Sequence, residues 1–420
     1  MLKLKDIKLV VIGLGYVGLP LAIEFSKKRK VLGFDINIDR IDTLNQNIDI
    51  NNEFSVDQLS DLKNICFISD LNNSDNNCYI ITAPTPIDEF KKPNLDFLKN
   101  ATEIVSRILK KNDIIIYEST VYPGCTEEIC VPILEKGSSL KYNQDFYCGY
   151  SPERINPGDK NRTIKDIKKI VSGSNKFVKS LINDLYSEII EAGTFSVSSI
   201  KVAEAAKVIE NSQRDLNIAL MNELSIIFDK IGIDTEEVLT AAETKWNFHK
   251  YRPGLVGGHC IGVDPYYLTY KSEELGYIPE IILAGRRLND KMSSHVVDKL
   301  IRNMIKNKIE INNSNILVMG LTFKENCKDL RNSKVFDIVS ELKGLNVNID
   351  IFDPLVDKEI QDLNLTKKLK KNFYDAILIT VAHDEFKKFS KRELKNLCKS
   401  NSIIFDLKHL LKSNDVDLRL

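Results

Sequence analysis

The sequence predicts an α/β protein in which two doubly wound parallel sheets are joined by a central helical segment with one long helix. Three observations carry this. Short β-branched runs alternate with polar helical stretches through the first half of the chain and again near its C-terminus, the pattern of a parallel sheet covered on both faces. Between them, residues 200–231 (IKVAEAAKVIENSQRDLNIALMNELSIIFDKI) contain no glycine or proline and repeat their apolar positions at helical spacing. At 420 residues the chain is also too long for one core. The boundaries implied are 1–198, 199–308 and 309–420.

The first unit begins with IKLVVIG, a β-branched run that enters Gly13-Leu14-Gly15-Tyr16-Val17-Gly18 and then the helical PLAIEFSKKRK. VLGFD follows as a second strand ending at Asp35. This is the GxGxxG fingerprint in its strand–turn–helix–strand setting, so the domain is Rossmann-like. Gly13 makes the turn, Gly15 admits a pyrophosphate, and Gly18 lets the helix pack on the sheet. Free N–H groups at the helix start then meet the phosphates. Asp35 suits the ribose hydroxyls and repels a 2′-phosphate, which favours NAD over NADP; Arg40 is the nearby cation that could accept such a phosphate.

Further strands are expected in CFIS (66–69), CYIITAPTP (78–86), DIIIYESTVYPG (113–124) and FYCGYSPERINPG (146–158). Three strand ends carry unusual residues: Pro84-Thr85-Pro86, Glu118-Ser119-Thr120 and Ser151-Pro152-Glu153-Arg154. Each alone is a strand-ending turn; at one sheet edge they form the wall of a site. On the long helix, Lys207 and Asn211 share a face that Ile218 and Asn222 continue. The alternative is a solvated polar stripe. Helices follow through IDTEEVLTAAE and from Ser272 to Lys306.

Between those helices lies KWNFHKYRPGLVGGHCIGVDPYYLTY (245–270), with Gly254, Gly257, Gly258 and Gly262 around Cys260. Such glycine density allows positive φ and close approach of a ligand. Asp264-Pro265 reads as an N-cap with proline at the first helical position. A helix starting there favours a thiolate at Cys260; the alternative is a small buried hydrophobe. The third unit repeats strand, glycine turn, helix and strand in NILVMGLTFKENCKDLRNSKV and NVNIDIFDP, ending at Asp353-Pro354, with DAILITVAH and SIIFDLK as further strands. GxGxxG is absent there, and Lys324 and Arg331 lie in the first turn, a pair suited to a diphosphate.

Composition narrows the function. Lys plus Arg and Asp plus Glu balance at 59 each, which removes a whole-molecule basic field for nucleic acid. No apolar run approaches the roughly 18 residues of a membrane span. The N-terminus begins like a signal peptide but turns glycine-rich, so it is read as a strand. Eight cysteines without a CxxC pair fit a reducing cytoplasm. Five scattered histidines give no metal spacing, and no metal is expected.

Taken in order, GLGYVG (13–18), STV (119–121), SPER (151–154), KVIEN (207–211), GGHCIGVDP (257–265) and KENCKDLRNS (324–333) resemble the UDP-glucose/GDP-mannose 6-dehydrogenase family over essentially the whole chain. SPERINPGD and GLVGGHCIGVDPYYLTYK look most like its UDP-N-acetylglucosamine/UDP-N-acetylgalactosamine branch. The resemblance implies a four-electron oxidation of a sugar CH₂OH to a carboxylate with two NAD⁺, through a thiohemiacetal and thioester on Cys260. It assigns catalysis to Cys260, Lys207, Asn211, Asp264, Thr120 and Glu153. It gives the cofactor to Gly13, Gly15, Tyr16, Val17, Gly18, Asp35, Arg40, Thr85, Thr120 and Arg331. The UDP-sugar falls to Glu153, Arg154, Lys207, Asn211, Tyr251, Arg252, Gly257 and Lys324. It also implies a homodimer built on the long helix and a role in surface polysaccharide (O-antigen or capsule) synthesis. Other substrates within the family are UDP-glucose, UDP-ManNAc and GDP-mannose. The rivals outside it are a single-step hydroxyacid-type dehydrogenase, which needs no Cys260, and a nucleotide-sugar binder without activity.

Overall fold

Continuous burial is what a strand covered on both faces requires, and the central strands of both sheets meet it. The computed structural model describes all residues except 1, 52, 73, 74, 156–161, 259 and 358. The end of the SPERINPGD run and residue 259 of the cysteine loop therefore lie outside the described residues. The first sheet contains β1 (Leu9–Ile12), β2 (Val31–Phe34), β3 (Ile65–Ile68), β4 (Cys78–Ile81), β5 (Ile114–Tyr117), β6 (Tyr147–Tyr150), β7 (Lys169–Gly173) and β8 (Thr194–Ser196). Its order is β3-β2-β1-β4-β5-β6-β7-β8. Strand order reverses between β1 and β4, where a doubly wound sheet opens its ligand crevice. All pairs are parallel except β6 with β7.

The second sheet contains β9 (Asn315–Met319), β10 (Asn348–Phe352), β11 (Tyr374–Ile379), β12 (Cys398–Asp406) and β13 (Leu418–Arg419), ordered β10-β9-β11-β12-β13 and parallel throughout. That is the second common doubly wound order. Apolar cores lie on both of its faces, with Ile316, Val318 and Leu378 on one and Leu317, Ile377 and Ile404 on the other.

The two sheets share one hydrogen-bond scheme at the first turn. Gly13 has φ +91° and Gly320 has φ +98°. Each donates its N–H to the last residue of the second strand, Phe34 at 2.8 Å and Phe352 at 2.9 Å. Each carbonyl accepts a threonine hydroxyl, Thr82 at 2.7 Å and Thr380 at 2.6 Å. The acid at the strand end takes the following backbone N–H: Asp35 from Leu14 at 2.8 Å, Asp353 from Leu321 at 2.7 Å. The repeat anticipated in sequence is real, with two differences. After Gly320 the chain runs through a long loop before its helix starts at Val335, so Lys324 and Arg331 lie in an extended connection, not a tight βα turn. The Asp353 side chain is buried against His383 and also accepts the backbone N–H groups of Thr322 and Leu355.

Contacts divide the described chain into two compact units, Met1–Glu210 with Tyr266–Tyr277, and Asn211–Pro265 with Ile278–Leu420. The long helix runs Ile200–Ile231 and is followed by Thr235–Ala242. The helical stretch expected from 272 to 306 is two helices, Asp264–Glu274 and Glu280–Lys306. Gly276 at φ +82° ends the first, and Pro279, which has no N–H to offer, precedes the second. No helix among the described residues is long and apolar enough to cross a membrane.

Candidate active site

In the first unit the glycine turn is braced from below. Asp35 accepts from the N–H groups of Leu14 and Asn37. Arg40 gets a different task from the one expected of it. It is buried, donating to Asp49 at 2.7 Å and to the Leu14 carbonyl at 3.0 Å. It therefore braces the turn through the Leu14 carbonyl. The residues fit a dinucleotide: among the described residues, no atom beyond its chain neighbours lies within 4 Å of a Cβ built on Gly15, whereas one on Gly18 would collide with the Gly13 carbonyl oxygen. The first glycine leaves room for a ligand and the last permits close packing under the helix Gly18–Ser26. Tyr16 and Val17 complete the turn, half-buried.

The strand-end residues gather at the carboxyl edge of the same sheet. Thr85 donates its hydroxyl to the Thr120 carbonyl at 2.7 Å, and Tyr267 donates to the Thr85 carbonyl at 2.7 Å. Ser119 donates to Ala83 at 2.6 Å. Glu153 is held at both oxygens: Oε1 accepts the N–H groups of Arg154 and Ile155, each at 2.6 Å, and Oε2 accepts Lys169 Nζ at 3.2 Å. Lys169 also donates to Glu118 at 2.7 Å, and Tyr186 donates its hydroxyl to the other Glu118 oxygen. Burial pushes the Glu118 carboxyl up to about 7, against the pull of the Lys169 ammonium. Burial works against the Lys169 charge, but Glu118 and Glu153 lift its pKa above the usual lysine value. Arg154, expected at the substrate, is engaged by Glu210 at 2.6 Å and by the Lys168 carbonyl at 2.7 Å.

Lys207 and Asn211 are only 8% and 7% exposed, which rules out the solvated stripe. One turn before Lys207, buried Glu204 accepts from Gly124 N at 2.6 Å and Thr126 N at 2.9 Å. It ties the long helix to the segment just past Thr120. Nothing in the spacing of Glu204 marks it from an ordinary helix glutamate, and the sequence reading passed it over.

In the second unit, Asp264 is 2% exposed and is the first residue of its helix, one position inside the N-cap place expected of it. Its Oδ2 accepts the Asn211 side-chain amide at 2.6 Å, and its N–H donates to the Cys260 carbonyl at 2.9 Å. Cys260 is half-buried and in no disulfide. Of the four glycines around it, Gly257 and Gly258 are obligatory, each for its own reason, while a Cβ on Gly254 or Gly262 would meet only ordinary contacts. A Cβ on Gly257 would come within 2.6 Å of the Asn332 carbonyl oxygen, and Gly258, at φ +78°, lies against the Phe323 ring. Upstream, Asn222 pairs with both backbone groups of Gly254, accepting from N at 2.7 Å and donating to O at 3.0 Å. Its amide also donates to Asn289 at 2.8 Å, which donates in turn to Asp215 at 2.7 Å. Each such buried group, left unpaired, would cost about 1–3 kcal/mol, so this chain sets the loop's entry. Asn222 continues the polar face as read, but as a brace. Tyr251 is half-buried; Arg252 is bound by Glu236 at 2.7 Å and by Glu243, and so is committed to carboxylates of its own unit.

A shallow cleft lies beside this loop, lined by Gly257, Thr322, Phe323, Lys324, Lys334 and Lys408 among others. Three lysines around one cleft suit a diphosphate; of these, sequence reasoning found only Lys324. Arg331 is bonded to Asp329 at 2.7 Å.

The NAD-binding domain of the UDP-glucose/GDP-mannose dehydrogenase family matches residues 7–190, its central domain 201–291 and its UDP-binding domain 317–413. UDP-N-acetyl-D-glucosamine 6-dehydrogenase of Pseudomonas aeruginosa is 56% identical over 99% of this chain and 100% of its own length. The enzyme of the same name from Salmonella typhi is 52% identical over 100% of both chains. Among solved structures, UDP-D-ManNAc dehydrogenase from Pyrococcus horikoshii superposes with a TM-score of 0.88 at 28% identity, over 98% of each chain. With all three domains matched in order and these relatives aligned from end to end, the chain belongs to the UDP-glucose/GDP-mannose dehydrogenase family and is an NAD-dependent oxidoreductase.

Proposed function

We propose that the protein oxidises the C6 hydroxymethyl of a UDP-N-acetylhexosamine, UDP-GlcNAc or UDP-GalNAc, to the uronic acid. Full-length identity of 56% and 52% to enzymes named for UDP-N-acetyl-D-glucosamine supports the substrate class. The observation that carries the chemistry is the 2.6 Å bond from Asn211 to Asp264, which ties the loop holding Cys260 to the helix that also bears Lys207. We read residues 1–198 as the NAD-binding portion, 199–308 as the central helical portion and 309–420 as the UDP-sugar portion.

NAD⁺, when bound, accepts the electron pair lost from C6 in each of the two oxidations. Thr120 and Glu153 relay the departing hydroxyl proton through water, giving an aldehyde. The Cys260 sulfur adds to that aldehyde, and the resulting thiohemiacetal becomes a thioester in the second oxidation. Cysteine suits this step because its thiolate is nucleophilic even when sparsely populated. Lys207 and Asn211 supply the positive charge and the donor for the passing oxyanions. Asp264, held by Asn211, orients the water that releases the carboxylate and returns the thiol. Lys324, with Lys334 and Lys408, takes the substrate diphosphate. Asp35 selects NAD over NADP.

The test is to count NADH formed per sugar over a panel of UDP- and GDP-sugars. Two NADH per UDP-GlcNAc or UDP-GalNAc are expected. Turnover of GDP-mannose or UDP-glucose alone would overturn the substrate, one NADH per sugar would favour the hydroxyacid-type rival, and binding with no NADH would favour the inactive binder. We place the protein in the cytoplasm, in keeping with eight cysteines that form no disulfide, and its product in surface polysaccharide assembly.

A homodimer through the long helix is part of the same reading. Val202, Ile209, Leu220, Ile227 and Ile231 are exposed on that helix, and their spacing keeps to whole turns, so they form one apolar stripe. Sedimentation at micromolar concentration is expected to give twice the chain mass; a monomer there would remove this part.

A further inference from the structure

The buried lysine beside Glu153 has a task that follows from strand direction. β7 runs antiparallel to β6, unlike the other pairs of its sheet. Its first residue, Lys169, therefore lies at the edge where β5 and β6 end; a strand parallel to β6 would have put it at the opposite edge. There it meets Glu118, which directly follows β5, and Glu153, three residues past β6. Lys169 is 2% exposed and Glu118 is 1% exposed, so the charges are settled among themselves. Two carboxylates share one ammonium, with the Tyr186 hydroxyl on the far oxygen of Glu118 and its ring 5.3 Å from the ammonium.

We propose that Lys169 is a positioning residue for the oxidation: its ammonium holds the Glu153 carboxylate in one orientation through Oε2, with Oε1 pinned by two backbone N–H groups. Without that charge, two carboxylates in one buried place repel, and Glu153 turns away from the orientation that Lys169 gives it. Glu118 anchors the far side of the ammonium, so Lys169 cannot follow Glu153 if that side chain moves. The inference rests on the reading of Glu153 as a group acting on the hydroxymethyl proton. It adds a residue that touches neither sugar nor cofactor and acts only through Glu153.

The experiment is a double-mutant cycle in the full-length enzyme with NAD⁺ and UDP-GlcNAc, scoring kcat and KM separately on protein shown by circular dichroism to be folded. Lys169→Met is expected to lower kcat about 10²-fold with KM for NAD⁺ changed by less than about threefold, since only proton handling is lost. In a Glu153→Gln background the same change should cost less than about threefold further, because the two residues act as one unit. Lys169→Arg, which keeps the charge, should recover most of the rate. Equal losses from Lys169→Met in both backgrounds would overturn the proposal, as would an unaltered kcat in the folded single variant. If Lys169→Met does not fold, the cycle is run with Lys169→Gln, which removes the charge and keeps a polar side chain; a rate loss that persists undiminished beside Glu153→Gln, or no loss in the folded Lys169→Gln single variant, overturns the proposal equally. A Glu153→Gln enzyme with wild-type kcat would instead remove the reading of Glu153 itself, and this inference with it.

Discussion

Cys260→Ala is expected to lower steady-state NADH formation from UDP-GlcNAc on the order of 10³-fold or more, the scale on which removing a covalent nucleophile acts. The loss should not be one of folding. Cys260 is half-buried, and the loop around it is held by backbone and by Asn222, Asn332 and Asp264, none of which needs the sulfur. Thermal stability and UDP binding should therefore match the wild type while turnover collapses. A single-turnover experiment sharpens the point: any residual product should be aldehyde, at no more than one NADH per sugar. A Cys260→Ala enzyme that still yields the uronic acid at two NADH per sugar would end the thioester account.

The second large effect separates two glycines that a motif treats alike. Among the described residues, Gly15→Ala meets no atom beyond its chain neighbours, so stability without ligand should be unchanged or raised by about 0.5 kcal/mol. Its methyl group would occupy the space a pyrophosphate needs, and the Kd for NAD⁺ should rise by about tenfold or more. Gly18→Ala drives Cβ against the Gly13 carbonyl, backbone against backbone, with no side chain free to yield. It should destabilise the unliganded protein by about 1–3 kcal/mol and lose NAD⁺ binding as well. Denaturant unfolding of both variants, paired with NAD⁺ titration, checks this. A Gly15→Ala protein as unstable as Gly18→Ala would show that the turn is not the open cradle described here.

What could be read from the chain alone follows the range of the forces involved. The helix over 200–231 depends on contacts a few residues apart, and the first glycine turn on the backbone freedom of its own glycines, so their sequence patterns mark both almost completely. The cysteine loop was legible for a similar reason. Gly258 is required by its own positive φ, and Asp264 opens its helix two residues beyond Gly262. Charged side chains were less legible, because sequence lists them but does not say which partner each will meet. Arg40, Arg154 and Arg252 all looked available to a ligand, and each is bound by a carboxylate of its own unit. Asn222 looked like one more residue on a polar face until its amide was seen to complete the hydrogen bonds of Gly254.

The sequence by itself determined the α/β class, the dinucleotide turn with Asp35, the long helix, and the glycine-rich setting of Cys260. Only the tertiary structure decided that β7 turns back against β6, that Lys169 arrives between two glutamates as a result, and that Asp353 is buried while Asp35 is not. The reason is one of distance along the chain. Backbone geometry is specified by neighbours and survives in a local pattern, whereas the pairing of buried charges is specified by strand order and direction, which bring together residues such as Glu118 and Lys169 that no short stretch contains.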